Sequence, residues 1–456
     1  MSHNNQFDPH HSALFTDLYE LTMMQAYYAE GMTGQAAFEL FFRKLPKSRN
    51  YVMAAGVDEV LNYLENLRFT DHDLAWLQQQ GQFSEAFLQT LRDFRFTGDV
   101  YAMPEGTIVF ENEPVVQVVA PIPQAQLVET YVLNQIHLQS VAATKAARVV
   151  TAAPGRNVVD FGSRRSHGTD AALKVARTSY LAGAAGTSNV AAGRLYGIPI
   201  FGTMAHSYVQ AHPDEMSAFQ AFTQEFPQTT LLVDTYDTLE GVRRVIELAR
   251  QLGDDFQVQS IRLDSGDLAE LARASRKLLD EAGLDKIKIL ASSGLDEYKI
   301  TELLAAGAPI DGFGVGTELA VSGDAPDIDF SYKLVAYEGQ PRMKLSSKKM
   351  NPPGRKQVFR IIENGQMVRD VIARHDETLS GEALLQPVMR NGRRLDAGRV
   401  PIPRAREHAR HQLELLPSRL KGLERLEEGY PAQISAALQE TTQQLQRELE
   451  QKMSRS

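Results

Sequence analysis

The sequence predicts an α/β protein built on a parallel sheet, and three observations carry that reading. From Asn157 onward, apolar runs recur at Val158-Val159, Ile198–Phe201, Thr230–Val233, Val258–Leu263, Ile287–Leu290 and Ile310–Val315, with helical patterns between them. The runs are near-continuous rather than alternating, as in strands covered by helices on both faces. The intervening helices also carry their own punctuation. Asp237 and Glu240 have the spacing of a capping box, and the stretches Asp267–Ala282 and Asp296–Ala306 stop at Gly283 and Gly307. With Phe330–Tyr337 as a further strand, about seven such units suit an α/β barrel better than an open doubly wound sheet, and spacing leaves both open.

The segments before Asn157 read differently. Residues 1–12 are polar and read as a disordered tail. Leu14, Leu18, Leu21, Met24, Tyr27 and Tyr28 place an amphipathic helix over 13–30, and Phe38–Phe42 follows as a strand. Helical patterns cover 56–67, 71–80 and 83–94, and short strands between turn residues fill 98–119 as a β-rich element outside the main core. Helix periodicity returns over 125–150. After Leu345 comes a basic, proline-containing loop, Ser346–Arg355, then a hairpin across Glu363-Asn364-Gly365, and a charged, helix-prone tail from Arg404 that reads as a solvated helix pair. The domains expected are thus 13–150, 151–345 and 346–456.

Composition bounds the function. The chain has 456 residues, 43% hydrophobic and 23% charged, with a formal net charge of −9 and no cysteine. Such a length calls for more than one core. The charge and the lack of a basic run argue against nucleic acid as a partner. No thiolate nucleophile, disulfide or cysteine metal site is available. No signal-peptide core or span of about 18 apolar residues is present, so a soluble, cytoplasmic protein is expected.

Chemistry gathers where the strands end. The first strand runs into Asp160-Phe161-Gly162-Ser163-Arg164-Arg165, where paired arginines beside glycine and serine suit an anion. The second ends in Gly202-Thr203-Met204-Ala205-His206; taken alone, His206 reads first as a hydrogen-bonded loop histidine. The third ends in Asp234-Thr235-Tyr236-Asp237, with Asp237 equally suited to cap a helix. Arg262-Leu263-Asp264-Ser265-Gly266-Asp267 ends the fourth, with Arg262 and Asp264 on one face and Asp267 again a natural cap. Ser292-Ser293-Gly294 and Gly314-Val315-Gly316-Thr317 close the series with small residues whose backbone N–H groups can wrap phosphate oxygens. Together these groups describe a site for a phosphorylated sugar and a second anion, with aspartates suited to ribose hydroxyls or Mg²⁺-bound pyrophosphate.

These motifs resemble those of the nicotinate phosphoribosyltransferases, a branch of the type II phosphoribosyltransferases. The resemblance starts at Thr16-Asp17-Leu18-Tyr19 and Phe38-Glu39-Leu40-Phe41-Phe42-Arg43. It runs through the strand-end motifs above to Tyr332-Lys333-Leu334-Val335 and Pro341–Leu345. It implies an irregular, incomplete α/β barrel of about seven parallel strands, plus an α+β domain assembled from N-terminal and C-terminal segments. It implies nicotinate, phosphoribosyl pyrophosphate and ATP as substrates, Mg²⁺ as the ion, and a homodimer with its sites at the interface. By the matching motifs, Phe161 would stack on the pyridine ring, with Tyr19 of the partner subunit on its other face. Arg262 would hold the carboxylate with Thr203 nearby. Asp264 would touch the ribose, and Ser293, Gly294, Gly316 and Thr317 its phosphate. Arg164, Lys333 and, across the dimer, Arg43 would add phosphate contacts, and His206 matches the histidine that ATP phosphorylates. Nicotinamide-using relatives carry aspartate where Ser188 stands in Gly186-Thr187-Ser188; without that charge the acid is the expected substrate.

Three rivals are separable by experiment. A nicotinamide phosphoribosyltransferase would use the amide as well as the acid. A Schiff-base aldolase would react through Lys333 and be trapped by borohydride. A non-catalytic phosphosugar sensor would bind without turnover.

Overall fold

The alternation of apolar runs and capped helices folds as a parallel sheet with helices between its strands. The computed structural model describes residues 12–345 and 351–454. Most of the polar amino-terminal tail and half of the basic loop therefore lie outside the described residues. The chain divides into two compact units, one of residues 142–326 and one of the segments on either side of it.

In the 142–326 unit six strands stand in the order Gly186–Thr187, Asn157–Asp160, Gly312–Val315, Lys288–Ser292, Ser260–Leu263, Thr230–Leu232, every neighbouring pair parallel. Apolar side chains such as Ile261, Leu263, Ile289, Phe313 and Val315 are buried, which is why these short runs are strands. The register sets Asp160 beside both Val315 and Thr187, Ser292 beside Gly314, and Leu263 beside Ala291, so the ends of the strands share one edge. The helices Thr238–Leu252, Leu268–Glu281 and Glu297–Ala305 begin where Asp237, Asp267 and Asp296 accept backbone N–H groups. Asp237 and Asp267 are thus helix caps. Gly283 and Gly307 follow two of these helices at φ of 75° and 69°, a region glycine enters without a Cβ clash.

Two expected strands behave otherwise. Residues 198–201 make one parallel bridge, Thr187↔Ile200, and no ladder among the described residues joins them to Thr230–Leu232. Pro199 has no N–H, and the neighbouring strand is only two residues long, so pairing cannot extend. Ile200 and Phe201 are 54% and 44% exposed, where a buried run was expected. Phe330–Tyr337 is not a seventh parallel strand. It pairs antiparallel with Gln35–Phe42, placing Tyr332 flat against Phe38 at 5.0 Å. Aromatic packing and a Tyr332 hydroxyl donating to the Ala125 carbonyl hold it there.

That pairing belongs to the other unit, whose seven-stranded sheet runs Gln340–Pro341, Phe330–Tyr337, Gln35–Phe42, Val116–Pro121, Asp99–Ala102, Gln386–Arg390, Arg393–Arg394. The β-rich segment 98–119 is therefore part of this unit's own core, with Val100, Val116 and Val118 buried. The expected hairpin forms from Lys356–Glu363 and Gln366–Arg374. Asn364 and Gly365 turn it at φ of 51° and 74°, the conformation Asn-Gly favours. The charged tail does form two helices, Ile402–Leu415 and Ala436–Met453, but the first is not merely solvated. Its Gln412 is buried and accepts from Arg360, whose guanidinium also pairs with Asp370 at 2.6 Å.

Candidate active site

Five turns of the 142–326 unit meet around Arg262 and Asp264. Arg262 lies on a strand between buried Ile261 and Leu263, and its side chain is 11% exposed. One terminal nitrogen donates to the Met204 carbonyl at 3.0 Å, the other reaches Ser292 Oγ at 3.4 Å, and the buried Nε has no partner among the described residues. Burial lowers the Arg262 pKa, the Asp264 and Asp234 carboxylates oppose that shift, and the Arg164 charge adds to it. Arg262 Nη1 lies 3.6 Å from Asp264 Oδ1, so the alternating pair does project to one side. The Ser292 hydroxyl donates to the same Asp264 oxygen through a short hydrogen bond.

Asp234 and Thr235 complete this cluster. Asp234 Oδ2 accepts from the Asp264 N–H at 2.9 Å and from Ser265 Oγ at 2.5 Å, while the buried Oδ1 has no partner among the described residues. His206 opens the helix His206–Gln210. Its Nδ1 lies 3.1 Å from Thr235 Oγ1 and its Nε2 3.7 Å from Asp264 Oδ2, and its side chain is 40% exposed. The histidine is therefore oriented on one ring nitrogen and reachable by solvent. Sequence reasoning places Asp234, Thr235 and Ser292 among the strand ends without assigning them a role. Their signal is position: each sits at or just past a strand terminus that the register aligns.

A cavity of about 500 Å³ opens beside Arg262 and is lined by Phe161, Phe201, Thr203, Phe313 and Gly314 as well. Phe161 donates its N–H to the Val315 carbonyl, and its ring lies over Gly314. A Cβ at Gly314 would come within 2.4 Å of that ring, so only glycine leaves the space. Thr203 donates to the Met204 carbonyl. Ser188 does not line the cavity; its N–H is bound by the Asp160 carbonyl at 2.8 Å.

The anion-binding candidates are also in this unit. Arg164 is exposed within the 3₁₀ turn Ser163–Arg165. Ser293 and Gly294 both have positive φ, 80° and 59°, just before Asp296 caps the next helix. That shape costs Ser293 steric strain of about 1–3 kcal/mol. Gly316 precedes the short helix Thr317–Val321, and Thr317 is exposed.

Tyr19, Arg43 and Lys333 belong to the other unit. Tyr19 is 47% exposed near the start of the helix Leu18–Ala29; burial and then a hydrogen bond to Glu20 raise its pKa. Arg43 donates to Ser331 at 2.7 Å. Lys333 is exposed on the antiparallel strand, close enough to Glu129 to lower that carboxyl's pKa against the larger effect of burial. It is not at a parallel strand end, which removes the structural basis for a barrel aldolase.

Among the described residues no helix is long and apolar enough to cross a membrane. The NAPRTase N-terminal domain model matches residues 14–137, and the NAPRTase family model, for nicotinate phosphoribosyltransferase, matches 156–352. The chain is 61% identical over 426 residues to the nicotinate phosphoribosyltransferase pncB2 of Mycobacterium tuberculosis, covering 93% of this chain and 92% of that one. It is 44% identical over 384 residues to the Bacillus subtilis nicotinate phosphoribosyltransferase, covering 82% of this chain and 78% of that one. The crystal structure of human nicotinic acid phosphoribosyltransferase is similar at TM-score 0.85 and 28% identity, over 94% of this chain and 99% of that chain. Matched in both family segments and carrying its motifs at one aligned sheet edge, the chain belongs to the nicotinate phosphoribosyltransferase family.

Proposed function

We propose that this protein is a nicotinate phosphoribosyltransferase that joins nicotinate to phosphoribosyl pyrophosphate, in NAD biosynthesis, and couples the reaction to ATP hydrolysis through a phosphohistidine at His206. The observation that carries this reading is a mostly buried guanidinium, Arg262, whose buried Nε has no partner among the described residues, in the same cavity as the Phe161 ring. That pairing suits a flat anion. Arg262 would bind the carboxylate, Phe161 would stack on the pyridine, and Thr203 would border it, with Tyr19 of the partner subunit closing the other face in a homodimer.

The pyridine nitrogen attacks the ribose C1 with its own lone pair, and the C1–O bond to pyrophosphate breaks. No general base is needed. Asp264 would touch the ribose and offset positive charge on the sugar, while Ser293, Gly294, Gly316 and Thr317 would hold its phosphate, with Arg164, Lys333 and, from the partner subunit, Arg43 as further contacts. Mg²⁺ would neutralise charge on the leaving pyrophosphate. The buried, unmatched Asp234 Oδ1 and the Asp264 carboxylate fit an ion of that kind. Among the described residues no group of three or more acidic or histidine side chains forms a cage, so the remaining ligands would be phosphate and water oxygens. Thr235 orients His206 for phosphoryl transfer from ATP, and the phosphorylated and free states must bind ligands differently for coupling to occur. We read the parallel sheet as the wall of an incomplete barrel, and the protein as cytoplasmic.

The test is formation of nicotinate mononucleotide from nicotinate and phosphoribosyl pyrophosphate with Mg²⁺, with and without ATP. ATP should raise product formation and be hydrolysed, and nicotinamide should be a poor replacement. Equal use of nicotinamide would overturn the substrate assignment. His206→Ala should retain basal transfer and lose both ATP hydrolysis and ATP stimulation; full coupling in that variant would remove the assigned role.

A further inference from the structure

We infer that Asp160 is the positioning residue of the pyridine site, a single buried carboxylate that ties the segment bearing Phe161 to the segment bearing Ser188. This rests on the functional reading above and extends it to a residue that touches no substrate. Asp160 ends the strand Asn157–Asp160 and is fully buried. Its Oδ1 accepts the Gly162 N–H at 2.7 Å, which closes the turn that carries Phe161. Its Oδ2 accepts the Thr187 hydroxyl at 2.7 Å, and its own carbonyl accepts the Ser188 N–H at 2.8 Å. Thr187 Oγ1 then accepts the Asn189 N–H at 3.0 Å, and Asn189 Oδ1 caps the helix Val190–Tyr196 by accepting from Ala192 at 3.0 Å.

Among the described residues no basic side chain pairs with this carboxylate. Burial pushes its pKa up, and the bonds from Thr187 and Gly162 oppose that shift. A carboxylate held in the interior without a cation is costly. What it supplies is two charge-assisted hydrogen bonds in diverging directions. They are needed because the strand Gly186–Thr187 is two residues long and lies at the sheet edge, where backbone pairing alone sets register weakly. The Phe161 ring, which lies over Gly314, is thereby carried by a turn whose closing carboxylate also fixes the edge strand. Displacement of a stacking ring by a fraction of an ångström is felt in binding of the stacked ligand before it is felt elsewhere.

The experiment compares kinetics of the intact enzyme and four variants: Asp160→Ala, Asp160→Asn, Thr187→Val and Thr187→Ser. In Asp160→Ala, KM for nicotinate should rise by about tenfold or more, while KM for phosphoribosyl pyrophosphate changes by less than about threefold. Asp160→Asn, which keeps an acceptor for Gly162, should fall between it and the unaltered protein. Thr187→Val should raise KM for nicotinate by about fivefold, and Thr187→Ser, which keeps the hydroxyl, should restore it. Parallel rises in both KM values, or unchanged kinetics in Asp160→Ala, would overturn the inference by making the residue merely structural or idle. If Asp160→Ala does not fold, the Thr187 pair decides: equal behaviour of Val and Ser overturns the role. Absence of turnover by the unaltered protein would instead overturn the functional reading, and this inference with it.

Discussion

Arg360 is fully buried and Arg262 mostly so, yet of the two only Arg360 has every nitrogen matched among the described residues. Its Nε and Nη2 donate to the two oxygens of Asp370 at 3.0 and 2.6 Å, Nη2 donates also to the Ile108 carbonyl at 2.8 Å, and Nη1 donates to Gln412 at 2.8 Å. Tyr430 donates to the same aspartate at 2.9 Å. Burial works to lower the Arg360 pKa and the Asp370 carboxylate more than reverses it. Among the described residues Arg262 has no such bidentate partner. Its Asp264 neighbour is offset at 3.6 Å, and its Nε faces none. The difference teaches where this molecule keeps unmet hydrogen-bonding capacity. In the unit formed by the two outer segments of the chain a matched buried charge holds distant segments together. At the parallel strand ends the unmatched one is, on the proposed function, the group that would meet a ligand, because a donor buried without a partner gains most when an anion arrives.

The strongest way to break this contrast is to remove each arginine in turn. Arg360→Met leaves Asp370 uncompensated and should lower stability by about 3–5 kcal/mol, read as the midpoint of urea unfolding. A loss under about 1 kcal/mol would mean that the network is not structural. Arg262→Met should unfold at or above the midpoint of the unaltered protein, since a poorly matched buried charge has been replaced. Its KM for nicotinate should rise by about 10- to 100-fold, corresponding to a charge-assisted hydrogen bond of roughly 1.5–3 kcal/mol. A stability loss matching that of Arg360→Met would erase the distinction. The smallest effect is expected at Ser293. Ser293→Gly relieves a positive φ but frees the unfolded chain, so stability should shift by less than about 1 kcal/mol. If backbone N–H groups bind the phosphate there, KM for phosphoribosyl pyrophosphate should change by less than about threefold. A larger rise would assign the contact to the hydroxyl.

The two arginines also separate what is legible along the chain from what is not. Caps, glycine stops and strand-end motifs are legible because they are local. Asp237, Asp267 and Asp296 cap helices whatever the rest of the chain does, and Asn364-Gly365 turns a hairpin by its own backbone preference. Arg262 and Asp264 fall on one face by strand periodicity alone. The residues that hold the site together are less visible. Asp160 reads in the sequence as one more carboxylate at a strand end, and its tie to Thr187 depends on a parallel register that no local pattern encodes.

By itself, then, the sequence determined the family, five of the six parallel strands and the residue types presented at their ends, while the edge strand Gly186–Thr187 escaped it, since periodicity and motifs in chain order register only runs longer than two residues. Only the tertiary structure decided the partners. It sent Phe330–Tyr337 to an antiparallel sheet beside Gln35–Phe42, left residues 198–201 with a single bridge, and matched Arg360 while leaving Arg262 Nε unmatched. The physical reason is shared. An apolar run or a buried charge specifies that it must be covered or paired, whereas the partner is chosen by packing among segments up to hundreds of residues apart.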